Sequence, residues 1–322
     1  MQTDLTPQQL RDTVLSCLAE NYGLEGELER LGGENLNYLV TTPDDASYVF
    51  KIVDDDMPPE VVEMENEVIE HAISAGIRLN FPKIIQNKYG NLETGIIIHK
   101  NELYRSRLLD FISGTNLENL SDISVKLLKN VGKTLASFDL AMENFNHPAA
   151  RRNHRWNLAE AGMHRDKIEL LGDPAQRALL GWAFDTWQWK AACHFPDLPW
   201  QFIHGDANRG NMLVEGDEVV GLVDFGDACI NPTVCELAIC LAYIMMGREN
   251  PLQAAETVSE AYQRLRPLSE RERSVLYPLV CGRLAVNISI AATRRQLDPA
   301  HPNWFESEQL AWELLPLLRE II

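Results

Sequence analysis

The sequence FIHGDANRGN at residues 202–211 decides the fold of this 322-residue chain, together with GLVDFGD at residues 221–227. Apolar and β-branched residues at 212–214 and 219–223 lie on either side of a Glu-Gly-Asp turn, which predicts a β-hairpin between the two stretches. One aspartate and one asparagine therefore precede the hairpin, and a second aspartate follows it. We expect the rigid strands to hold these polar side chains close to one another.

This order of residues is typical of a kinase catalytic loop followed by a metal loop. Phosphoryl transfer needs a carboxylate that orients and deprotonates the attacking hydroxyl, and Asp206 would supply it. Magnesium neutralises the phosphate oxygens and needs only a few oxygen ligands, which the amide of Asn211 and the carboxylate of Asp224 would provide. We expect His204 to orient the loop backbone, because Asp206 already has the proton-transfer task.

A single lysine, Lys51, lies inside the apolar strand predicted over residues 47–53. The alternation of that strand places Lys51 on an apolar face, and a buried ammonium group needs an acidic partner. The helix predicted over residues 60–75 offers Glu65, which falls on its apolar stripe. We therefore expect Lys51 to bind nucleotide phosphates with Glu65 holding it in place. The alternatives to Glu65 are Glu63 and Glu67.

Two further segments are candidates for nucleotide binding. The Gly-Gly pair within residues 31–37 precedes the Lys51 hairpin, where glycines would let backbone N–H groups approach phosphate oxygens, although the sequence lacks the GxGxxG pattern. The sequence LDFISG at 109–114 would supply backbone groups to a purine edge and an apolar side chain against the base. The candidates in these segments are Gly32, Gly33, Asn35, Leu109, Asp110 and Ile112.

The rest of the chain predicts an α+β protein with two lobes. Residues 1–109 contain a first helix over 5–22 and short alternating strands, which indicate a small nucleotide-binding lobe with an antiparallel sheet. Residues 110–114 would form a hinge, and residues 115–322 would form a larger, mainly helical lobe with the catalytic loop, the metal loop and the acceptor site. The later helices of this lobe are predicted over 232–246, 252–264, 270–296 and 306–321.

The charge and the cysteine content of the chain indicate which binding partners and which cellular location to expect. The chain has 29 basic and 47 acidic residues, a formal charge of −18, which disfavours nucleic acid and anionic membranes as partners. The only dense basic run is RRNHR at 151–155. The start of the chain, residues 1–12, resembles neither a secretory signal nor a transit peptide. Six cysteines without a CxxC pair are typical of a reduced cytoplasmic protein and make zinc an improbable ligand.

The motifs together resemble the aminoglycoside phosphotransferase/choline kinase superfamily, the small-molecule branch of the protein-kinase-like fold. NRGN at 208–211, DFGD at 224–227 and CELA at 235–238 are most similar to the hydroxylysine kinase subgroup, as is WNL at 156–158. The resemblance covers nearly the whole chain from residue 31 onward. It implies a two-lobed protein-kinase-like fold and phosphotransferase activity, with ATP or GTP as co-substrate and Mg²⁺ as cofactor.

The resemblance also implies roles for individual residues. Asp206 would be the base, Asn211 and Asp224 the magnesium ligands, and Lys51 the residue on the nucleotide phosphates. Glu236 stands where the family usually carries an aspartate that braces the backbone of the catalytic loop. A longer side chain should still reach that loop.

The spacing after the metal loop argues against a protein substrate. Only residues 227–231 separate that loop from the next helix, for which we expect Asn231 as the cap and Pro232 as the first helical residue. A protein kinase needs a long activation loop that ends in Ala-Pro-Glu. The acceptor is therefore expected to be a small hydroxyl compound.

An acidic protein suits a cationic acceptor, that is, an alcohol that also carries an amine. Asp227 is placed to bind the ammonium group or, alternatively, to cap a helix or brace its own loop. Trp156 would line the acceptor pocket or belong to the core, and Arg283 would bind an acceptor carboxylate or extend to solvent. Arg209, in the catalytic loop, is a further candidate for an acceptor or phosphate contact.

Three functions remain open at this point. The first is a kinase for a hydroxylated amine or amino acid, and the second is the same chemistry on homoserine, choline or an aminoglycoside. The third is a pseudokinase that binds nucleotide without turnover. Lys51, Asp206, Asn211 and Asp224 are all present, which disfavours the third. The sequence does not indicate an oligomeric state.

Overall fold

A computed structural model describes residues 3–32, 36–53, 57–100, 102–299 and 305–322. The chain divides into two compact units. Unit 1 comprises Met1–Ile69 and Phe81–Ser113, and unit 2 comprises Glu70–Asn80 and Gly114–Ile322. One boundary falls inside the segment 110–114 that we expected to be a hinge. Residues 70–80, which the sequence predicts to belong to the smaller lobe, group with unit 2.

Unit 1 begins with helix α1, Pro7–Tyr22, whose start follows from its sequence. The side-chain oxygen of Thr6 accepts a hydrogen bond from the backbone N–H of Gln9, and the Gln9 side chain accepts one from the backbone of Thr6. Pro7 stands at the first position, where a missing N–H costs nothing. Gly23 ends the helix at a φ of 68°.

An antiparallel sheet forms the body of unit 1. Among the described residues, its six strands follow the order β1-β2-β3-β6-β4, and β5 pairs with β6. Phe50 and Ile52 of β3 pack in the same buried cluster as Val14 and Leu18 of α1, so Lys51 between them faces the other side of the sheet. The elements are β1 Glu27–Arg30, β2 Leu36–Thr41, β3 Ser47–Ile52, α2 Pro59–Ser74, β4 Ile84–Ile85, β5 Thr94–His99 and β6 Glu102–Asp110.

Unit 2 is mainly helical and carries two small antiparallel sheets, one of three strands in the order β10-β9-β7 and one formed by β11 and β8. The hairpin predicted around the Glu-Gly-Asp turn is β9 and β10. The strands are β7 Thr115–Asn116, β8 Trp200–Ile203, β9 Met212–Glu215, β10 Glu218–Leu222 and β11 Cys229–Pro232. The helices are α3 Val125–Met142, α4 Pro174–Lys190, α5 Val234–Met245, α6 Pro251–Gln263, α7 Glu270–Leu297 and α8 Glu306–Ile321.

Helix α7 is the central helix of unit 2, with neighbours in α4, α5 and α8. It is the one described helix that is long and apolar enough to cross a membrane, and 94% of its most apolar window is buried within the protein. Such burial is typical of a core helix in a folded domain.

The prediction that Pro232 begins a helix was wrong. Pro232 is the last residue of β11 and lies opposite Trp200 of β8, while α5 begins at Val234. A proline is tolerated at the end of a strand in a two-stranded sheet, where its missing N–H breaks no ladder. Asn231 does not cap the helix, because its side chain bonds to the backbone N–H of Ala159 and to the side chain of Asn157.

Candidate active site

The catalytic loop starts at His204, directly after strand β8, and this imidazole is fully buried. Burial lowers the pKa of His204 to about 4, so the ring is neutral at pH 7. Its Nδ1 accepts a hydrogen bond from the backbone N–H of Asp206 at 3.3 Å, and its Nε2 therefore donates to the carbonyl of Val223 at 3.0 Å. The ring thus joins the loop of Asp206 to the residue that precedes Asp224.

The side chain of Glu236, in α5, holds the backbone of the same loop by a hydrogen bond. Its side chain is fully buried, and its Oε2 accepts a hydrogen bond from the backbone N–H of Gly205 at 3.2 Å. Burial raises the pKa of Glu236 well above its usual range, with the nearby charge of Asp139 as a further cause. The longer side chain found at this position therefore does reach the loop backbone.

Gly205 is the one residue of this loop for which no side chain fits. Its φ is 76°, and an added Cβ would lie 2.5 Å from the carbonyl oxygen of Asp227. The Gly205→Ala variant should therefore push the catalytic loop away from the metal loop. We expect it to lower kcat by at least about tenfold and to reduce the unfolding free energy by more than the ~1–2 kcal/mol that the left-handed backbone alone costs.

The matched control is Gly216→Ala, because Gly216 has a φ of 59° and nothing within 4 Å of an added Cβ. Urea unfolding and steady-state kinetics of the two variants compare the effect of the clash with that of the backbone alone. Equal losses in both variants would contradict the close approach at Gly205.

Asp206 has hydrogen-bond donors on both oxygens of its carboxylate. Oδ1 accepts from Nη2 of Arg283 at 2.5 Å, and Oδ2 accepts from the side-chain amides of Asn208 and Asn211, each at 2.8 Å. Burial is the largest cause that raises the pKa of Asp206, to about 8, and the charges of Asp227 and Asp224 add to this rise, while the charge of Arg283 opposes it. The hydrogen-bond donors act in the same direction as Arg283, so they reduce the rise in pKa without reversing it.

Asn211 connects Asp206 to the segment that leads into Asp224. Its amide nitrogen donates to the backbone oxygen of Asp206 at 2.9 Å as well as to the carboxylate, which leaves the amide oxygen for another ligand. The backbone N–H of Val223 donates to the carbonyl of Asn211 at 3.0 Å, so Asp224 follows immediately after this contact. Asp224 has a φ of 63°, a backbone strain that non-glycine residues show mostly at functional positions.

These oxygen donors fit a hard divalent cation such as magnesium. Magnesium is held by one or two carboxylates together with waters and substrate phosphates, and the amide oxygen of Asn211 with the carboxylate of Asp224 makes such a set. No cluster of three or more histidine, cysteine or acidic side chains suited to a metal occurs in the described part of the chain. All six cysteines are described, and each is free.

The candidate acceptor residue Asp227 lies beside a histidine that the sequence had not singled out. Nδ1 of His154 is 3.2 Å from Oδ1 of Asp227, and Arg152 donates to the carbonyl of Gly226. Burial alone would raise the pKa of Asp227, but the hydrogen bond and charge of His154 outweigh it and hold that pKa below its usual range. Arg152 and His154 both belong to the basic run at 151–155, which is the one feature of the sequence that could have indicated these contacts.

Arg283 of α7 does not extend to solvent, since it is 1% exposed. Its guanidinium stacks on the rings of Trp156 and Tyr243, at 4.7 and 5.3 Å from their centroids, and pairs with Asp206. The partly buried Trp156 thus lies against the guanidinium that pairs with Asp206. Arg209 is partly buried, and burial lowers the pKa of its guanidinium while the charge of Glu118 opposes this shift.

In unit 1, Glu65 is buried at 5% exposure, whereas the other acids of α2 are exposed. Its Oε2 accepts from Nη2 of Arg107, a fully buried β6 residue that the sequence analysis missed. Lys51 is 6% exposed and stands opposite Arg107 in the β3–β6 register. Oε1 of Glu65 has no hydrogen-bond partner among the described residues, and the Lys51–Glu65 pair stays a prediction.

The remaining nucleotide-binding candidates belong to unit 1, and the structure describes all of them except two. Gly32 lies in the loop before β2, while Gly33 and Asn35 are outside the described residues. Leu109 and Ile112 are buried, and the backbone N–H of Asp110 donates to the carbonyl of Lys83 at 2.8 Å. A purine contact from Asp110 would therefore have to use its carbonyl.

Comparison with known proteins identifies the family. Hydroxylysine kinase of Mus musculus is 28% identical over 284 residues, which cover 82% of this chain and 74% of that protein. Homoserine kinase of Agrobacterium fabrum is also 28% identical over 284 residues, covering 85% and 81% respectively. A microcompartment-associated aminopropanol kinase has a similar fold, with a TM-score of 0.77 over 96% of this chain and 97% of the other, at 16% identity.

These similarities confirm the predicted α+β, protein-kinase-like fold and the resemblance stated above. The family model described as "Phosphotransferase enzyme family" matches residues 27–273, a range that contains the residues predicted to act in catalysis and metal binding. The chain therefore belongs to the phosphotransferase enzyme family, and it is an enzyme that transfers phosphoryl groups to hydroxyl acceptors.

Proposed function

We propose that this protein transfers the γ-phosphoryl group of ATP or GTP to the hydroxyl of a hydroxylated amine or amino acid such as hydroxylysine. The observation that carries the proposal is the contact of Asp206 with Asn211 beside the strand that leads into Asp224. The similarity to hydroxylysine and homoserine kinases supports an amino-acid acceptor with a hydroxyl group.

In this proposal Asp206 orients the acceptor hydroxyl and takes its proton as the oxygen attacks phosphorus. Asn211 and Asp224 would hold Mg²⁺, which supplies the positive charge that neutralises phosphate oxygens. Lys51 would bind the nucleotide phosphates, and Glu65 would restrict its position. The burial of Lys51 supports this assignment, since an ammonium group is rarely buried without a partner of opposite charge. Glu65 contacts Arg107 through Oε2, and its Oε1 is the oxygen that Lys51 would use.

The ammonium group of the acceptor would bind at Asp227. The pKa of Asp227 is held below its usual range, so its carboxylate is charged over the whole physiological pH range. Trp156 is partly exposed near Asp206 and would offer an apolar surface to the carbon chain of the acceptor. A charged carboxylate and an aromatic ring are the usual partners of an alkylammonium group.

A panel of acceptors tests the proposal most directly. Hydroxylysine, homoserine, 1-amino-2-propanol, choline and an aminoglycoside would each be assayed with ATP and with GTP. We expect the highest kcat/KM for an acceptor that carries an amine close to its hydroxyl group. A preference for choline or an aminoglycoside would replace the proposed acceptor but leave the phosphotransferase chemistry in place.

We predict that Asp224→Ala removes the magnesium dependence of nucleotide binding, because the variant lacks the carboxylate of the proposed metal site. Calorimetry with ATP in the presence and absence of Mg²⁺ would measure this loss, and we expect the affinity with Mg²⁺ to fall by at least about tenfold. Glu218→Ala, an exposed acid on the same hairpin, is the matched control and should bind as the wild type does. Retained magnesium dependence in Asp224→Ala would contradict the assignment.

The alternative of a nucleotide-binding pseudokinase makes a different prediction. It would give a nucleotide-dependent rise in melting temperature without turnover of any acceptor in the panel.

The acidic composition and the six free cysteines favour a cytoplasmic location for the proposed reaction.

A further inference from the structure

We infer that Arg283 is a positioning residue for phosphoryl transfer, which holds the base Asp206 so that its Oδ1 atom receives the proton of the acceptor. This inference rests on the proposed role of Asp206 and replaces the carboxylate-binding role that the sequence suggested for Arg283. It depends on three features of the structure, namely the saturation of one carboxylate oxygen, the fixed geometry of the guanidinium and its burial.

The first feature is the unequal number of donors on the two oxygens of Asp206. A carboxylate oxygen has about two acceptor positions. Oδ2 uses both, since it accepts from Asn208 and from Asn211. Oδ1 accepts only from Arg283 among the described residues, and it therefore keeps one position for an incoming hydroxyl group.

The second feature is the fixed position of the guanidinium. Nη2 donates to Asp206 at 2.5 Å and to the hydroxyl oxygen of Tyr243 at 3.1 Å, and Nη1 donates to the carbonyl of Trp156 at 3.1 Å. The rings of Trp156 and Tyr243 also contact the planar group. A lysine could not stack and donate in two directions in this way.

The third feature is burial, because Arg283 is only 1% exposed while the Asp206 side chain is 17% exposed. A buried charge without a partner is very unfavourable, so Arg283 does not leave Asp206 to bind an acceptor carboxylate. The acceptor can reach the carboxylate but not the guanidinium. Arg283 therefore acts on the reaction only through Asp206.

In the reaction step, the proton of the acceptor hydroxyl moves to Oδ1 of Asp206. The acceptor oxygen forms a bond to the γ-phosphorus, and the bond from this phosphorus to the bridging oxygen breaks, so that the nucleoside diphosphate leaves. Arg283 keeps Oδ1 directed at the hydroxyl before the transfer. A misplacement of about 1 Å at such a group can lower the rate by about 10²-fold.

The test compares Arg283→Met, Arg283→Lys and Arg283→Ala, with Arg271→Met as the matched control on an exposed part of the same helix. We expect Arg283→Met to lower kcat by about 10²-fold, with the KM and Kd for nucleotide within about twofold of wild type. Arg283→Lys should recover part of kcat, and added guanidinium or ethylguanidinium should raise kcat of Arg283→Ala with saturation. A role limited to folding would not respond to these cations.

A rise in KM for the acceptor at unchanged kcat would overturn the inference, since it would show that Arg283 binds substrate. Unchanged kcat in Arg283→Met would also overturn it. If Arg283→Met does not fold, Tyr243→Phe decides, because it removes one acceptor of the guanidinium and leaves the ion pair intact. We then expect a fall in kcat of about threefold or more without a change in nucleotide KM, and an unchanged kcat would reject the inference.

The acceptor and Arg283 can be judged separately. Slow hydrolysis of ATP, in which water replaces the acceptor, needs Asp206 but no organic substrate. If the wild type phosphorylates nothing in the panel, the proposed acceptor class fails, and the rates of hydrolysis still decide the role of Arg283. Equal hydrolysis by wild type and Arg283→Met would contradict that role whatever the acceptor is.

Discussion

Replacement of Asp206 by asparagine is expected to lower kcat by about 10³-fold, while the affinity for nucleotide stays within about twofold of wild type. The amide cannot accept the proton of the hydroxyl group, and the base contacts the acceptor rather than the nucleotide. The amide can still accept the hydrogen bond of Arg283 through its oxygen, so the arginine remains paired. Steady-state kinetics and calorimetry with nucleotide measure the two effects separately.

The control for this prediction is Asp197→Asn, which changes an exposed aspartate of the same unit by the same atoms. Because the new amide nitrogen faces the amide donors of Asn208 and Asn211, the unfolding free energy must be measured as well. Activity comparable to the wild type in a folded Asp206→Asn variant would remove Asp206 from the role of base.

The second large effect is expected in unit 1, at the ion pair between Glu65 and Arg107. Both side chains are nearly inaccessible to water, at 6% and 1% exposure. Loss of Arg107 leaves Oε2 of the buried Glu65 without its donor, so we expect Arg107→Met to lower the unfolding free energy by about 3–5 kcal/mol. Urea unfolding of the variants measures this change.

Replacement of both members, in Glu65→Met/Arg107→Met, should recover part of that loss, because the ion pair is removed as a whole and only the proposed contact of Glu65 with Lys51 is lost with it. For the acid alone, Glu65→Gln should lower the unfolding free energy and raise the KM for nucleotide, both by more than Glu63→Gln does. Glu63→Gln changes an exposed acid of the same helix, and its unfolding free energy should stay within about 0.5 kcal/mol of wild type. The reverse order would show that the assignment of the helix face is wrong.

Local spacing was sufficient to predict much of this protein. The hairpin between the catalytic loop and the metal loop is present as β9 and β10, because its turn and its β-branched strands are determined by neighbouring residues. The periodicity of α2 likewise predicted that Glu65 faces inward, since the 3.6-residue repeat fixes which side chains share a face. Family membership also followed from these motifs.

Local signals were less reliable where two tendencies compete. Pro232 has the signature of a helix start, and yet it ends strand β11, because pairing with β8 takes the residues before it into a sheet. Asn231 has a side chain that often caps helices, but here its amide nitrogen donates to the side chain of Asn157, in a different segment of the chain. In both cases a contact that is distant in sequence outweighed a local preference.

The sequence by itself therefore determined the fold class, the order of the catalytic elements and the side chains that carry charge into the site. Only the tertiary structure decided which charges meet: Arg283 lies 77 positions from Asp206 and Arg107 lies 42 positions from Glu65, and both pairs form in the folded chain. Periodicity and spacing predict only how a residue is placed relative to its near neighbours along the chain. The pairing of buried charges depends instead on strand register and helix packing, which bring remote segments together.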